Sequence, residues 1–127
     1  MLQAMNTGHA GSMSTGHGNS VEGMLQRLET MYMMAMPLQV DAVRSQIAEA
    51  IDIMVHLERM ENGMRRVVEI SEIVGYENHT FHINPLMRRE SDGVLRPSGN
   101  RFLQTRKLFL KGEVYADRLR KMGFINP

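Results

Sequence analysis

The 127-residue sequence has no cysteine, which removes a disulfide framework and every thiolate metal site and agrees with a reducing cytoplasm. No window approaches the roughly 18 consecutive apolar residues of a membrane span. No basic stretch leads into an apolar run and a small-residue cleavage site, so no secretory signal is visible. Aromatic residues make up only 6%. Between residues 88 and 121 they are Phe102, Phe109 and Tyr115 alone, too sparse for stacking along a single nucleic-acid strand. H-E-x-x-H and paired-ligand histidine spacings are missing, so nothing specifies a metal. The G-x-S-x-G elbow of a serine nucleophile is missing as well.

What is present fits one globular domain: 43% hydrophobic and 23% charged residues in a length typical of a single unit. The formal net charge of +1 conceals an asymmetry, because residues 1–87 carry five basic and ten acidic side chains and residues 88–127 carry ten and four. A cationic tail suits nucleic acid, an anionic membrane surface or an acidic protein, and equally a solvated face. Thirteen methionines are also unusual, and Met24, Met31, Met33, Met34 and Met36 fall close together. Their adaptable side chains suit packing before recognition.

The periodicity predicts a mixed α/β fold. Residues 1–5 read as the end of a helix closed by Asn6 and Gly8, and residues 12–17 have room for a short strand with Met13, Thr15 and His17 on one face. Ser20 is a good N-cap with Glu22 in the first turn, so Val21, Met24, Leu25, Leu28, Met31 and Tyr32 predict a helix to about Met34. Pro37 interrupts, and a second helix is predicted over residues 39–50 on the stripe Val40, Val43, Ile47 and Ile51. The period then changes to two over residues 52–60. Asn62-Gly63 predicts a hairpin turn, with a second strand over residues 64–74 ending at Gly75. Further along, residues 80–83 and 86–89 are candidate strands, Asp92-Gly93 is a second hairpin turn, and residues 97–105 read as irregular. A last helix is predicted from Gly112 or Glu113 to Met122, with Gly123 as terminator.

The chemistry concentrates in residues 6–20, NTGHAGSMSTGHGNS, where two histidines and four glycines stand among hydroxyl side chains. Among the readings these residues allow, a phosphate-facing segment asks least: histidine and hydroxyl donors beside glycines whose amides can approach an anion, ahead of a helix N-terminus. A turn in which His9 and His17 bond to backbone groups explains the same residues equally well.

The string TGHAGSMSTGHGNS resembles the histidine box of the type II and type IV secretion traffic ATPases, most closely the CpaF-like ATPases of tight-adherence pili, whose pattern is TGH-x-GS-x-[ST]T-x-HANS. MLQRLETM (residues 24–31) is similar to the helix containing RLE after that box, RSQIAEAIDIMV (residues 44–55) to an R-x-QIA-x-AID segment, and residues 59–75 to its hairpin. Gly18 stands where alanine is usual. The resemblance implies the C-terminal part of a RecA-like P-loop ATPase domain. Residues 1–87 would be a partial domain with the box and hairpin, and residues 88–127 a basic extension with a terminal helix.

Carried onto matching positions, the resemblance makes His9, His17 and Thr15 catalytic candidates near the γ-phosphate. Gly11, Ser12 and Arg27 become candidates for nucleotide binding or its support. It implies ATP and Mg²⁺ as cofactors, a homo-hexamer, inner-membrane platform partners and a cytoplasmic protein peripheral to that membrane. Nucleic acid is not an expected partner. The phosphate-binding pattern G-x-x-x-x-G-K-[ST] is absent. The chain is therefore expected to be a segment of a longer ATPase, inactive alone. The competing expectation is a non-enzymatic module whose basic tail binds an acidic partner or nucleic acid.

Overall fold

Helix α1 (Val21–Ala35) begins where the extended backbone of Ser20 brings its Oγ within 2.9 Å of the Gly23 N–H, which donates to it. Glycine at the third helical position leaves the cap without a reciprocal acid, and the Ser20 hydroxyl works alone. Met36 closes the helix by donating its N–H to the Tyr32 carbonyl at 3.0 Å, immediately before Pro37. Helix α2 (Val40–Ala50) follows with Gln39 as an N-cap that makes no side-chain bond. The computed structural model describes residues 11–105 and 113–125, so the expected helix end at residues 1–8 lies outside the described residues.

Four strands follow: β1 (Ile53–Arg59), β2 (Arg65–Glu77), β3 (Thr80–Arg89) and β4 (Leu95–Pro97). They form one antiparallel sheet in sequence order. The first and third turns share one chemistry. At the first, Gly63 has φ +82°, its N–H reaches the Met60 carbonyl at 2.9 Å, and Asn62 Oδ1 accepts from the Met64 N–H at 3.0 Å. At the third, Gly93 (φ +81°), Glu90, Asp92 and Val94 repeat this with 2.9 and 3.0 Å bonds. Each is a three-residue loop with glycine at the left-handed position.

The structure corrects four details of the sequence reading. Residues 12–17 form no strand: they are exposed and irregular, and pair with no strand among the described residues. β2 does not stop at Gly75 but passes through it to Glu77: a register shift between Ile73 and Gly75 leaves Val74 as the extra residue, and Gly75 pairs with His82. Its hairpin partner is reached through Asn78 and His79, with φ +51° and +61°, a two-residue turn without glycine. The two candidate strands after it are one, since a shift opposite Ile70 and Ser71 lets Pro85 sit inside β3 without a ladder N–H. The stretch read as irregular from Pro97 gives its first residue to β4.

The core is built where both helices meet the sheet. Val21, Leu25 and Leu28 of α1 join Val43, Ile47, Ala48 and Ala50 of α2 against Ile73 of β2, with Met54, Tyr76, Phe81 and Ile83 packed around them. The methionines divide: Met24, Met33 and Met54 pack on this cluster, while Met31, Met34 and Met36 stay exposed. After β4 the chain runs back along β3, with the Ser98 N–H donating to the Leu86 carbonyl at 2.9 Å. Helix α3 (Glu113–Lys121) ends at Gly123 (φ +83°), where the Gly123 N–H meets the Arg120 carbonyl at 3.0 Å and the Phe124 N–H the Leu119 carbonyl at 2.9 Å. This is a Schellman closure. Phe124 and Ile125 beyond it are buried.

Candidate functional site

The histidine-bearing segment lies directly ahead of α1, and α1 holds it through backbone contacts. Gly16 and Gly18 both lie against Met24: a Cβ on Gly16 would fall 2.3 Å from the Met24 Cε, and one on Gly18 would fall 3.2 Å from the Met24 Cβ. A side chain at Gly16 would have to displace the end of the Met24 side chain, and one at Gly18 would press on its Cβ. Three residues further along the helix, Arg27 sends Nη1 back to the His17 carbonyl at 2.8 Å. Residues 11–19 are all exposed, and Met13 at 99% shows how little covers them.

Of the six candidate residues, the structure brings Arg27 and His17 together. The guanidinium contacts the main chain of His17 and so shapes the segment. Gly11 adopts φ +81°. Ser12 and Thr15 are exposed and make no hydrogen bond with described residues. His9 lies outside the described residues. The arrangement presents hydroxyl and imidazole groups outward from a loop that leads into a helix N-terminus, whose first-turn amides carry a positive partial charge. Among the described residues no group of three or more histidine, aspartate or glutamate side chains could hold a metal ion.

Elsewhere on the same helices, a polar bridge joins α1, α2, the end of β2 and the β2–β3 turn. Arg44 of α2 donates to both oxygens of Glu29 on α1, through Nε at 2.9 Å and Nη2 at 3.1 Å. Its Nη1 donates to the Tyr76 hydroxyl at 3.2 Å, and its guanidinium lies 5.8 Å from the Tyr76 ring centroid. Tyr76 in turn donates to Asp41 Oδ1 at 2.6 Å, which His79 Nδ1 also meets at 3.1 Å. The Tyr76 bond, then the His79 bond, hold the Asp41 carboxyl below the usual carboxylate range. The bonds to Glu29, then to Tyr76, raise the Arg44 guanidinium further above its ordinary value. Sequence reasoning missed this bridge, although Glu29 and Arg44 both lie in the motif stretches of residues 24–31 and 44–55. Opposite charges in two adjacent predicted helices were the available signal.

The hairpin arginines show a plainer pattern. Arg59 donates to the Gly63 carbonyl at 3.2 Å, Arg96 meets Glu90 at 2.9 Å and Asp92 at 2.6 Å, and Arg89 bonds to the Val67 and Gly93 carbonyls. Of the basic side chains beyond residue 87, Arg88, Arg89 and Arg96 find partners in the sheet or its turns.

Comparison with known proteins adds a family to this geometry. The pattern that describes the type II/IV secretion system proteins matches residues 1–99, from before the histidine-bearing segment to beyond β4. The chain belongs to the type II/IV secretion system protein family. It is 37% identical over 92 residues to the conjugal transfer protein TrbB of Rhizobium radiobacter, covering 72% of this chain and 27% of that protein. It is 35% identical over 83 residues to the probable conjugal transfer protein TrbB of Sinorhizobium fredii, covering 65% of this chain and 24% of that protein. A putative conjugal transfer protein of Mycobacterium tuberculosis is 35% identical over 71 residues. The chain thus spans about a quarter of the length of these curated relatives. The family agrees with a RecA-like ATPase part for the mixed α/β fold. No helix among the described residues is long and apolar enough to cross a membrane.

Proposed function

We propose that this chain is the part of a secretion-type ATPase that presents residues 11–19 to the γ-phosphate of an ATP bound by the rest of the enzyme. In this reading His17 and Thr15 face the phosphate, joined by His9, with Gly11 and Ser12 lining the approach. Arg27 keeps the loop in shape through the His17 carbonyl. The carrying observation is that bond, at 2.8 Å, on a segment otherwise exposed and seated on α1 by two glycines. A loop fixed by its backbone leaves its imidazole and hydroxyl groups free for a ligand.

The chemistry is in-line attack of water on the γ-phosphorus, releasing ADP and phosphate. Mg²⁺ and a phosphate-binding loop outside this sequence would neutralise most of the charge, and the segment described here would add donors where charge develops. The intact parent works as a homo-hexamer at a cytoplasmic membrane face, engaging inner-membrane platform proteins. The finer placement in the CpaF-like branch of tight-adherence pili rests on the motif string, whereas the curated relatives carry conjugal-transfer names.

The face of β1 turned away from the helices fits a segment covered by further protein. β1 stands at one end of the sheet order, and its side chains Ile53, Val55 and Leu57 are 40%, 50% and 53% exposed. The remaining length that the relatives possess could supply the cover.

The test is His17→Ala in the full-length parent. Losing one preorganised donor should lower hydrolysis by about 10²-fold while nucleotide affinity changes little. An unchanged rate refutes the assignment. The 127-residue chain alone should give no turnover above its own His17→Ala control.

A further inference from the structure

Outside both the histidine-bearing segment and the polar bridge lies one buried carboxylate. Glu72 of β2 is 3% exposed, and strand alternation turns it away from the cluster that its neighbour Ile73 joins. Its Oε2 accepts from Asn84 Nδ2 at 3.0 Å and from the Leu103 N–H at 2.9 Å. Its Oε1 accepts from the Gln104 N–H at 2.9 Å. Two successive backbone amides converging with a side-chain amide make a small anion receptor, here filled by the chain's own glutamate.

The same residues tie residues 98–104 to the sheet. Asn84 Nδ2 also donates to the Arg101 carbonyl at 2.8 Å, and the Gln104 side chain donates to the Val74 carbonyl. Leu103 contributes its amide rather than its side chain, being 66% exposed. One residue before it, the Phe102 N–H donates to the Phe124 carbonyl at 2.7 Å and the two rings meet edge-on at 6.2 Å. The end of α3, with Arg118, Arg120 and Lys121 in its last turn, is thereby connected to the point that Glu72 holds.

We infer that Glu72 is a latch: by filling the receptor formed by Leu103, Gln104 and Asn84 it docks residues 98–105 on the sheet as a releasable arm, and with them, through Phe102 and Phe124, the end of α3. A carboxylate suits the task because both of its oxygens accept, so it serves all three donors at once. A glutamine has one acceptor oxygen and would turn its NH₂ toward a backbone N–H. The helices and β1–β3 form their cluster without the arm, so its release leaves that core intact and frees the basic end of α3.

The experiment is site-resolved hydrogen exchange on the 127-residue chain. In Glu72→Gln, the amides of Leu103 and Gln104 should exchange at least roughly ten-fold faster, in keeping with the loss of hydrogen bonds to a charged group, and that of Ser98, which donates to the Leu86 carbonyl of β3, should lose protection with them. The amides of Ile51 and Ile73, which donate to the Ile47 and Asp52 carbonyls, should keep their protection. Unchanged exchange at Leu103 and Gln104 overturns the latch. Equal acceleration across the sheet also overturns it, because Glu72 would then be an ordinary core residue. Leu103→Pro removes one donor without touching β2 and gives an independent reading. It should also speed exchange at Gln104 and Ser98, and an arm that stays protected in folded Leu103→Pro refutes the inference.

Discussion

A missing side chain can position a segment as firmly as a present one. Gly16 and Gly18 let the backbone lie on Met24, and Arg27 fastens the next carbonyl, so the groups left to face outward are those of Ser12, Thr15 and His17. Local chemistry of this kind was legible in the sequence: the Ser20 cap and the Asn62-Gly63 and Asp92-Gly93 turns each follow from residue type. The Asn78-His79 turn was not, because both residues take positive φ without glycine to announce it. Asp41 gives the prediction at this scale. Its carboxyl is lowered from an ordinary 3.8 by Tyr76 and then His79, so the folded chain binds that proton less readily than the unfolded one. The stability it supplies is complete above the ordinary value and is lost as pH falls through the lowered one. Asp41→Asn should therefore lose less stability than the parent from about pH 4 downward, measured by denaturant melts across the acid range.

At the scale of elements, the helices were read to within a residue or two, because capping, a clean apolar stripe and Pro37 all mark the same boundaries. The strands were harder. Gly75 and Pro85 carry breaker signals, yet each sits inside a strand, since register shifts absorb what they disrupt. Such shifts are set by the partner strand and leave no local mark. The contact between α1 and α2 is also a tertiary outcome, and its polar part rests on Arg44. Lysine there cannot hold both Glu29 oxygens and the Tyr76 hydroxyl. Arg44→Lys should cost about 1 kcal/mol, and a cycle with Glu29→Gln should show coupling of similar size.

At the scale of the whole molecule the chain is a mixed α/β unit, and its incompletely covered regions among the described residues include the segment of residues 11–19 and the outward face of β1. An apolar edge strand with free hydrogen-bonding groups invites pairing with another strand. The isolated chain should accordingly self-associate as concentration rises. Val55→Lys places a charge on a half-exposed edge position and should lower the sedimenting mass while preserving the circular dichroism. Unaltered association would remove the edge as its cause.

By itself the sequence determined the helices, two of the three hairpin turns, the motif string and the family, because each depends on residue type and short spacing. It could not determine that residues 12–17 remain outside the sheet, since a strand exists only against a neighbour and none of the described strands takes that place. Nor could it show that Glu29 finds Arg44, or that Glu72 meets amides some thirty residues away. Those pairings were decided by tertiary structure alone. Burying a charge is tolerable only where the fold delivers its partners, and that delivery depends on how the helices, the sheet and the returning chain pack.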